Sequence, residues 1–424
     1  GPMKTGLSNE EKSRVRNLFA KGDISKEALL ESEMKSYHSP GTCTFYGTAN
    51  TNQLILEIMG LLIPGSAFVN PNGLLRDELT RSAAKRSVEI SLYSKDVRSI
   101  GELINEKAIV NGIIGLLASG GSTNLTIHLI AIARMAGIII TWDDFKLISK
   151  IIPLIAKIYP NGNADVNDFH NAGGTEFIIS ELIKNGLLHK DIITISKGGM
   201  LDYTKKPVLD KEIIKWKKIP SISKDNKILR QVSNPFDKEG GITVVSGNIG
   251  RGIIKISAVP EKYRYIKAPA KVFSSQDEVK KAFENRELNR NFVLVVKNQG
   301  PSSNGMPELH GLTPTLSVLQ NLGYKVALIT DGRMSGASGK VLSVVHISPE
   351  AGENTPISKI LDNDIIEINA NKGFMNLKIS KKIFNKRLVH PIDLKNYKTG
   401  YGRQLFNSFR ENVSSAELGA ISFL

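Results

Sequence analysis

The spacing of apolar and polar positions divides the chain into a helical half and a strand-rich half. Ser8 and Glu11 form a capping-box pair ahead of an apolar face of Val15, Leu18 and Phe19, and Gly22 closes the pattern, so a first helix is expected between Ser8 and Gly22. A second helix is expected over 25–36. Helical periodicity returns after Asn50 and over 74–85, 100–117, 126–135 and 145–158. From Thr204 to Asp237 the chain becomes polar, lysine-rich and punctuated by proline, as an interdomain connection would be. Beyond it the period shortens. β-branched runs at 242–245, 253–256, 292–296, 326–329, 341–346 and 365–368 predict strands, with helices over 275–283 and 313–322. The expected organisation is a helical first unit over 1–206, a linker over 207–236 and a β-rich unit over 237–424.

Composition narrows the function without naming it. The 424 residues are 41% hydrophobic and 23% charged, ordinary for a globular protein with room for two cores. No uninterrupted apolar stretch reaches the roughly 18 residues of a membrane span, and the start lacks a signal-peptide layout, so no membrane partner and a cytoplasmic location are expected. A single cysteine excludes an internal disulfide framework. The formal net charge of +15 raises the question of nucleic acid. Its distribution argues against such a partner: lysines are interleaved with acids and apolar residues, as in 211–218, and no nucleic-acid module is present.

The lone cysteine, Cys43, sits in the polar, glycine-flanked run Gly41-Thr42-Cys43-Thr44-Phe45-Tyr46-Gly47-Thr48-Ala49-Asn50. A lone cysteine is more often a small buried hydrophobe than a reactive group. Here, small neighbours permit close backbone approach, and the apolar run 54–62 reads as a buried helix whose N-terminal end would favour a thiolate, a setting for a ligand or nucleophile. Two nucleotide motifs fail on spacing. A P-loop at 334–341 would need glycine where Met334 stands and Ser or Thr where Val341 stands, and 247–252 has its glycines in the wrong order for a dinucleotide fingerprint. By residue type alone, Ser335 is a turn serine and Glu308 a helix-start carboxylate. The turn 120–124 reads equally as a helix-entry loop or a ligand contact. His128, His170 and His310 lack zinc-site spacing and receive no catalytic role.

Resemblance adds to this reading. The run from Pro40 to Asn50 is followed in order by Gly120–Asn124, Tyr159–Gly162 with Asp165–Asn167, Ser246–Asn248, Gly305–His310 and Thr330–Gly336. Over essentially its whole length the chain resembles the iron–sulfur dihydroxy-acid and sugar-acid dehydratase family. The resemblance implies an α/β fold: part of an α/β cluster-binding domain, then a β-rich, barrel-like swivelling domain, with the active site between them and a homodimer as the assembly. It implies that Cys43 is a ligand of an iron–sulfur cluster, 4Fe-4S being favoured over 2Fe-2S, that Glu308 is a metal ligand suited to Mg2+ and that Ser335 is the proton acceptor. Asn50, Ser122, Thr123, Asn248, Asp331 and Arg333 are then the expected substrate contacts.

The implied reaction is dehydration of a small anionic sugar acid, 6-phospho-D-gluconate to 2-dehydro-3-deoxy-6-phosphogluconate plus water, as in the Entner–Doudoroff pathway. An aldonate or branched-chain dihydroxy acid is the alternative substrate, and an inert anion-binding fragment the alternative of another class. The family carries further cluster cysteines upstream, so the chain is expected to be the C-terminal part of a longer protein.

Overall fold

A computed structural model describes residues 1–389 and 404–423. Up to Thr204 the described elements are helical: α1 (Asn9–Lys21), α2 (Lys26–Ser36), α3 (Thr48–Ile58), α4 (Leu74–Glu89), α5 (Ile100–Leu103), α6 (Glu106–Ser119), α7 (Leu125–Met135), α8 (Trp142–Ser149), α9 (Val166–Ala172) and α10 (Gly174–Lys184). Helix α1 begins where Ser8 Oγ accepts the Glu11 N–H at 3.1 Å, and it ends at Gly22, whose φ of 80° suits a residue without Cβ. Only half of the capping box forms, because the Glu11 carboxylate pairs with Arg14. The helix expected over 100–117 is two, since Asn105 Oδ1 accepts the Ala108 N–H and starts α6 afresh. The one expected over 145–158 stops at Ser149. Pro153, which cannot donate to a helix ladder, is followed by extended chain that bridges Asp237 through Leu154 and Leu229 through Ala156.

Helix α6 is apolar on all sides and buried along nearly its whole length, which makes it the axis of this half. Gly115 lets α3 approach it closely: a Cβ there would stand 2.6 Å from Ile58 Cδ1. The segment read as a linker contains an antiparallel hairpin, β1 (Lys205–Asp210) and β2 (Ile213–Lys218), turning through Lys211 and Glu212, both at positive φ. Neither residue is a usual hairpin-turn signal, so the pattern concealed it.

The second half is an eight-stranded closed barrel, so the chain is mixed α/β as expected. Its strands are β3 (Thr243–Gly247), β4 (Gly250–Ile254), β5 (Tyr265–Phe273), β6 (Phe292–Val296), β7 (Val326–Thr330), β8 (Leu342–Ser348), β9 (Ile365–Asn369) and β10 (Phe374–Leu377), in the order β10-β3-β4-β8-β7-β6-β5-β9. Strand β5 escaped prediction because Pro269, Lys267 and Lys271 interrupt its apolar positions, and β10 because it is so short. Strands β6 and β7 are apolar but for the terminal Thr330 because both faces are covered. Val293, Val295, Ala327 and Ile329 belong to the cluster inside the barrel, whereas Phe292, Leu294, Val326 and Leu328 join the core shared with the helices.

Strands β5 through β8 run parallel, and α11 (Gln276–Glu284), α12 (Pro301–Asn304) and α13 (Leu312–Asn321) lie on the first two crossovers. The third crossover, from β7 to β8, holds no helix; it is the Asp331–Val341 segment that contains Ser335. Among the described residues up to Thr204 there is no strand, and the extended stretch after Pro153 makes only isolated bridges because no second strand runs alongside it.

Candidate active site

A cleft of about 660 Å³ lies between the helical body and the barrel, and it brings together residues far apart in sequence. Cys43, Phe45, Asn50 and Tyr159 face it from the helical side together with Arg16 and Tyr37; Glu308, His310, Thr313, Ser335 and Ser338 face it from the barrel side.

The Cys43 loop is shaped by Asn50. Its Nδ2 donates to the carbonyls of Cys43 and Phe45, both at 2.7 Å, and its Oδ1 accepts from Thr42 Oγ1 at 2.7 Å. Asn50 thus spends its polar atoms on the backbone that presents the thiol. Tyr46 OH donates to Ser119 Oγ at 2.8 Å and ties the same loop to α6. Helix α3 starts five residues after Cys43, with Gly47 offering no side-chain cap, so its first N–H groups are available to an anion in the cleft. Burial lifts the pKa of Cys43 above the ordinary value, and the backbone N–H of Phe45 with the Lys12 and Arg16 cations only partly opposes this.

Across the cleft, the Ser335 loop is held from both halves. Asn124 Nδ2 donates to Met334 O at 3.2 Å, and Ser338 Oγ lies 2.8 Å from Thr313 Oγ1. Gly336 packs so closely on Ser122 and the Thr48 backbone that no side chain fits there. Ala337 N–H points at Ser335 Oγ at 3.4 Å. Glu308 and Arg333 lie side by side through a backbone bridge, with 4.0 Å between Glu308 Oε1 and an Arg333 guanidinium nitrogen; Arg333 Nε donates to Met306 O at 2.7 Å.

Other expected contacts lie elsewhere. Asp331 is fully buried, and its carboxylate accepts the N–H groups of Asn298, Gln299 and Ala351 at 2.8–3.0 Å, so it pins the barrel end and does not line the cleft. Burial nonetheless pushes its pKa up to about 6. Asn248 exchanges hydrogen bonds with the Leu377 backbone at 2.7 and 2.8 Å, joining the β3–β4 turn to β10. Ser122 is buried against Thr48 Oγ1 at 3.0 Å, and Thr123 lines a separate small cavity behind Ser335.

Sequence reading missed Asn124, Lys12 and Arg16. Lys12 gave a usable signal, because it falls with Asn9 and Val15 on the buried side of α1. There its Nζ donates to Thr44 Oγ1 at 2.7 Å and stands 5.3 Å from the Phe45 ring centre. Arg16 is paired bidentately with Glu33 at 2.8 and 3.0 Å. Burial drives His346 and His170 down to about 3 and lowers His128.

The donors of this chain do not complete an iron–sulfur site. Cys43 is its one cysteine, whereas a cluster takes several thiolates. Among the described residues no three His, Cys, Asp or Glu side chains stand together as a metal-binding group, and Glu308 is a single carboxylate beside a cation.

Fold and cleft define a two-part enzyme in which a helical body and a β-barrel each present one wall of the site. Residues 1–203 match the family model described as dihydroxy-acid/6-phosphogluconate dehydratase N-terminal, and residues 227–420 match its C-terminal counterpart. The chain belongs to the dihydroxy-acid/6-phosphogluconate dehydratase family and is a hydro-lyase. It is 51% identical over 423 residues to the phosphogluconate dehydratase of Zymomonas mobilis, covering 100% of this chain and 69% of that protein. It is 49% identical over 420 residues to that of Escherichia coli K12, covering 99% and 70%. A dihydroxy-acid dehydratase of Sulfurisphaera tokodaii is 38% identical over 411 residues, covering 95% and 69%. No described helix is long and apolar enough to cross a membrane.

Proposed function

We propose that the chain carries the phosphogluconate dehydratase reaction, in which 6-phospho-D-gluconate loses water to give 2-dehydro-3-deoxy-6-phosphogluconate. The observation that carries this reading is the cleft in which Ser335 and Glu308 face the Cys43 loop, in a chain about half identical throughout to phosphogluconate dehydratases. The reaction removes a proton from C2 and hydroxide from C3, and the enol so formed becomes the 2-oxo acid. Ser335 Oγ is the proton acceptor in this reading. A serine hydroxyl needs its anion stabilised to act as a base near neutral pH, and the neighbouring Ala337 N–H is aimed at that oxygen. The uncapped start of α3 favours an anionic substrate along the same wall, where Arg16 also stands, paired with Glu33. Cys43 supplies one thiolate to the iron–sulfur cluster and Glu308 one carboxylate to a metal. Neither set is complete within this chain, and no step is assigned through them. The homodimer and cytoplasmic setting belong to the same proposal.

A substrate panel tests it. The holoenzyme should form 2-oxo acid from 6-phosphogluconate with a higher kcat/KM than from gluconate, because remote phosphate binding energy can position C2 and C3. Preference for a branched-chain dihydroxy acid would assign the cleft to the other branch of the family. Ser335→Ala should lower kcat by about 10²- to 10⁴-fold and abolish solvent exchange at C2.

A further inference from the structure

Lys255 follows β4 at the barrel rim with only 5% of its surface exposed. Its Nζ donates to Gly336 O at 2.9 Å, and among the described residues no carboxylate accompanies it. Its stem packs under Gly339, and with Thr123, Met334, Ser335 and Ser338 it lines the small cavity behind the Ser335 loop. Lysine is seldom buried without an ion-pair partner, because the ammonium loses its hydration with no opposite charge in return. Burial alone brings its pKa down to about 7, so near neutral pH it is present in both charged and neutral forms; either form donates an N–H. A group this costly to bury is therefore directed at a single backbone carbonyl, the one immediately after Ser335.

The opposite side of Ser335 is fixed in a matching way. Asn124, from the helical body, holds the carbonyl of Met334, and Lys255, from the barrel, holds that of Gly336. The carbonyls of the residues on either side of Ser335 are thus fastened from different halves of the molecule. The intervening crossover has no helix to stiffen it.

We propose that Lys255 is a positioning residue for the dehydration, fastening the Gly336 carbonyl so that the Ser335 hydroxyl is directed into the cleft. The inference rests on the reading of Ser335 as proton acceptor. Lys255 itself touches no reacting atom.

In the holoenzyme, Lys255→Met keeps the stem's bulk and removes the donor. It should lower kcat by about tenfold or more with KM within about twofold of wild type. Amide hydrogen exchange measured by mass spectrometry should accelerate over 335–338 while the β6 and β7 amides stay protected. Lys255→Ala supplies a second reading should the methionine variant fold poorly: added n-propylamine should restore turnover. A kcat within about twofold of wild type in Lys255→Met, unchanged exchange over 335–338, or failure of the amine to restore Lys255→Ala would each overturn the proposal. Ser335→Ala separates the two readings. If that variant is inactive while Lys255→Met turns over normally, only the role of Lys255 falls; if Ser335→Ala turns over normally, both fall.

Discussion

Side chains that face the barrel axis, among them Val245, Val295, Ile329 and Ile368, are aliphatic, whereas the helical body encloses Glu57 and Glu176 as well as its apolar core. Glu57 accepts the N–H groups of Gly65 and Ala67 at 2.5 and 3.0 Å, and Glu176 Oε1 has no partner among the described residues. Burial pushes both carboxyls well above the ordinary range, and for Glu57 the neighbouring Glu176 adds to the effect. Packing of the aliphatic side chains inside the barrel is indifferent to pH, although the same half also buries Lys255, Asp331 and His346, whose pKa values are shifted from the ordinary. The helical body contains groups whose charge state is tied to folding. A serine on a crossover loop gains a rigid platform from the first arrangement, while the second makes the stability of the helical body responsive to protons.

The largest expected effect tests the barrel. Ile329→Ala removes buried side-chain carbons facing the axis and should cost about 2–5 kcal/mol, read as a shift in the denaturation midpoint. The loss should be equal at pH 5 and pH 8; a strongly pH-dependent loss would break the contrast. Next comes the helical body. With folded-state pKa values raised, Glu57 and Glu176 hold protons that the unfolded chain releases, so the folded state binds more protons. Their contribution is present at acidic pH and is lost as pH rises from the ordinary carboxylate range through neutrality. Glu176→Gln should remove part of that dependence, on the order of 1–3 kcal/mol between pH 5 and pH 8, and gain on wild type toward alkaline pH. Parallel stability curves for the two proteins would remove Glu176 from the account.

The smallest effect sharpens the contrast at the cleft wall. In cluster-free protein, the midpoint of Cys43 alkylation against pH should lie above that of an ordinary thiol. Lys12→Met should raise it by a further amount of about one pH unit or less, since one nearby cation is removed while burial remains. A midpoint that falls on substitution would mean that Lys12 does not favour the thiolate.

Much of the architecture was legible because its causes are local. Ser8, Ser25 and Ser275 each accept an N–H three residues on, Gly22 ends α1 in the left-handed region, and the apolar runs of β6 and β7 register burial on both faces. The order of motifs pointed to the family, and the structure places Cys43, Asn50, Glu308 and Ser335 on one cleft. The direction of individual polar side chains was not legible. Asp331 and Asn248 stand in motif runs yet bind backbone, while Asn124 reaches across 210 positions to Met334 and Lys255 reaches 81 to Gly336. Helix caps and strand periodicity depend on neighbours within a few residues, so the sequence alone determined them. Whether a carboxylate meets solvent or three N–H groups, and whether a lysine is a surface charge or a buried clamp, depends on which distant backbone the folded chain brings alongside. For Asp331 and Lys255 the folding of the barrel itself decided that, and for Asn124 the docking of the barrel against the helical body.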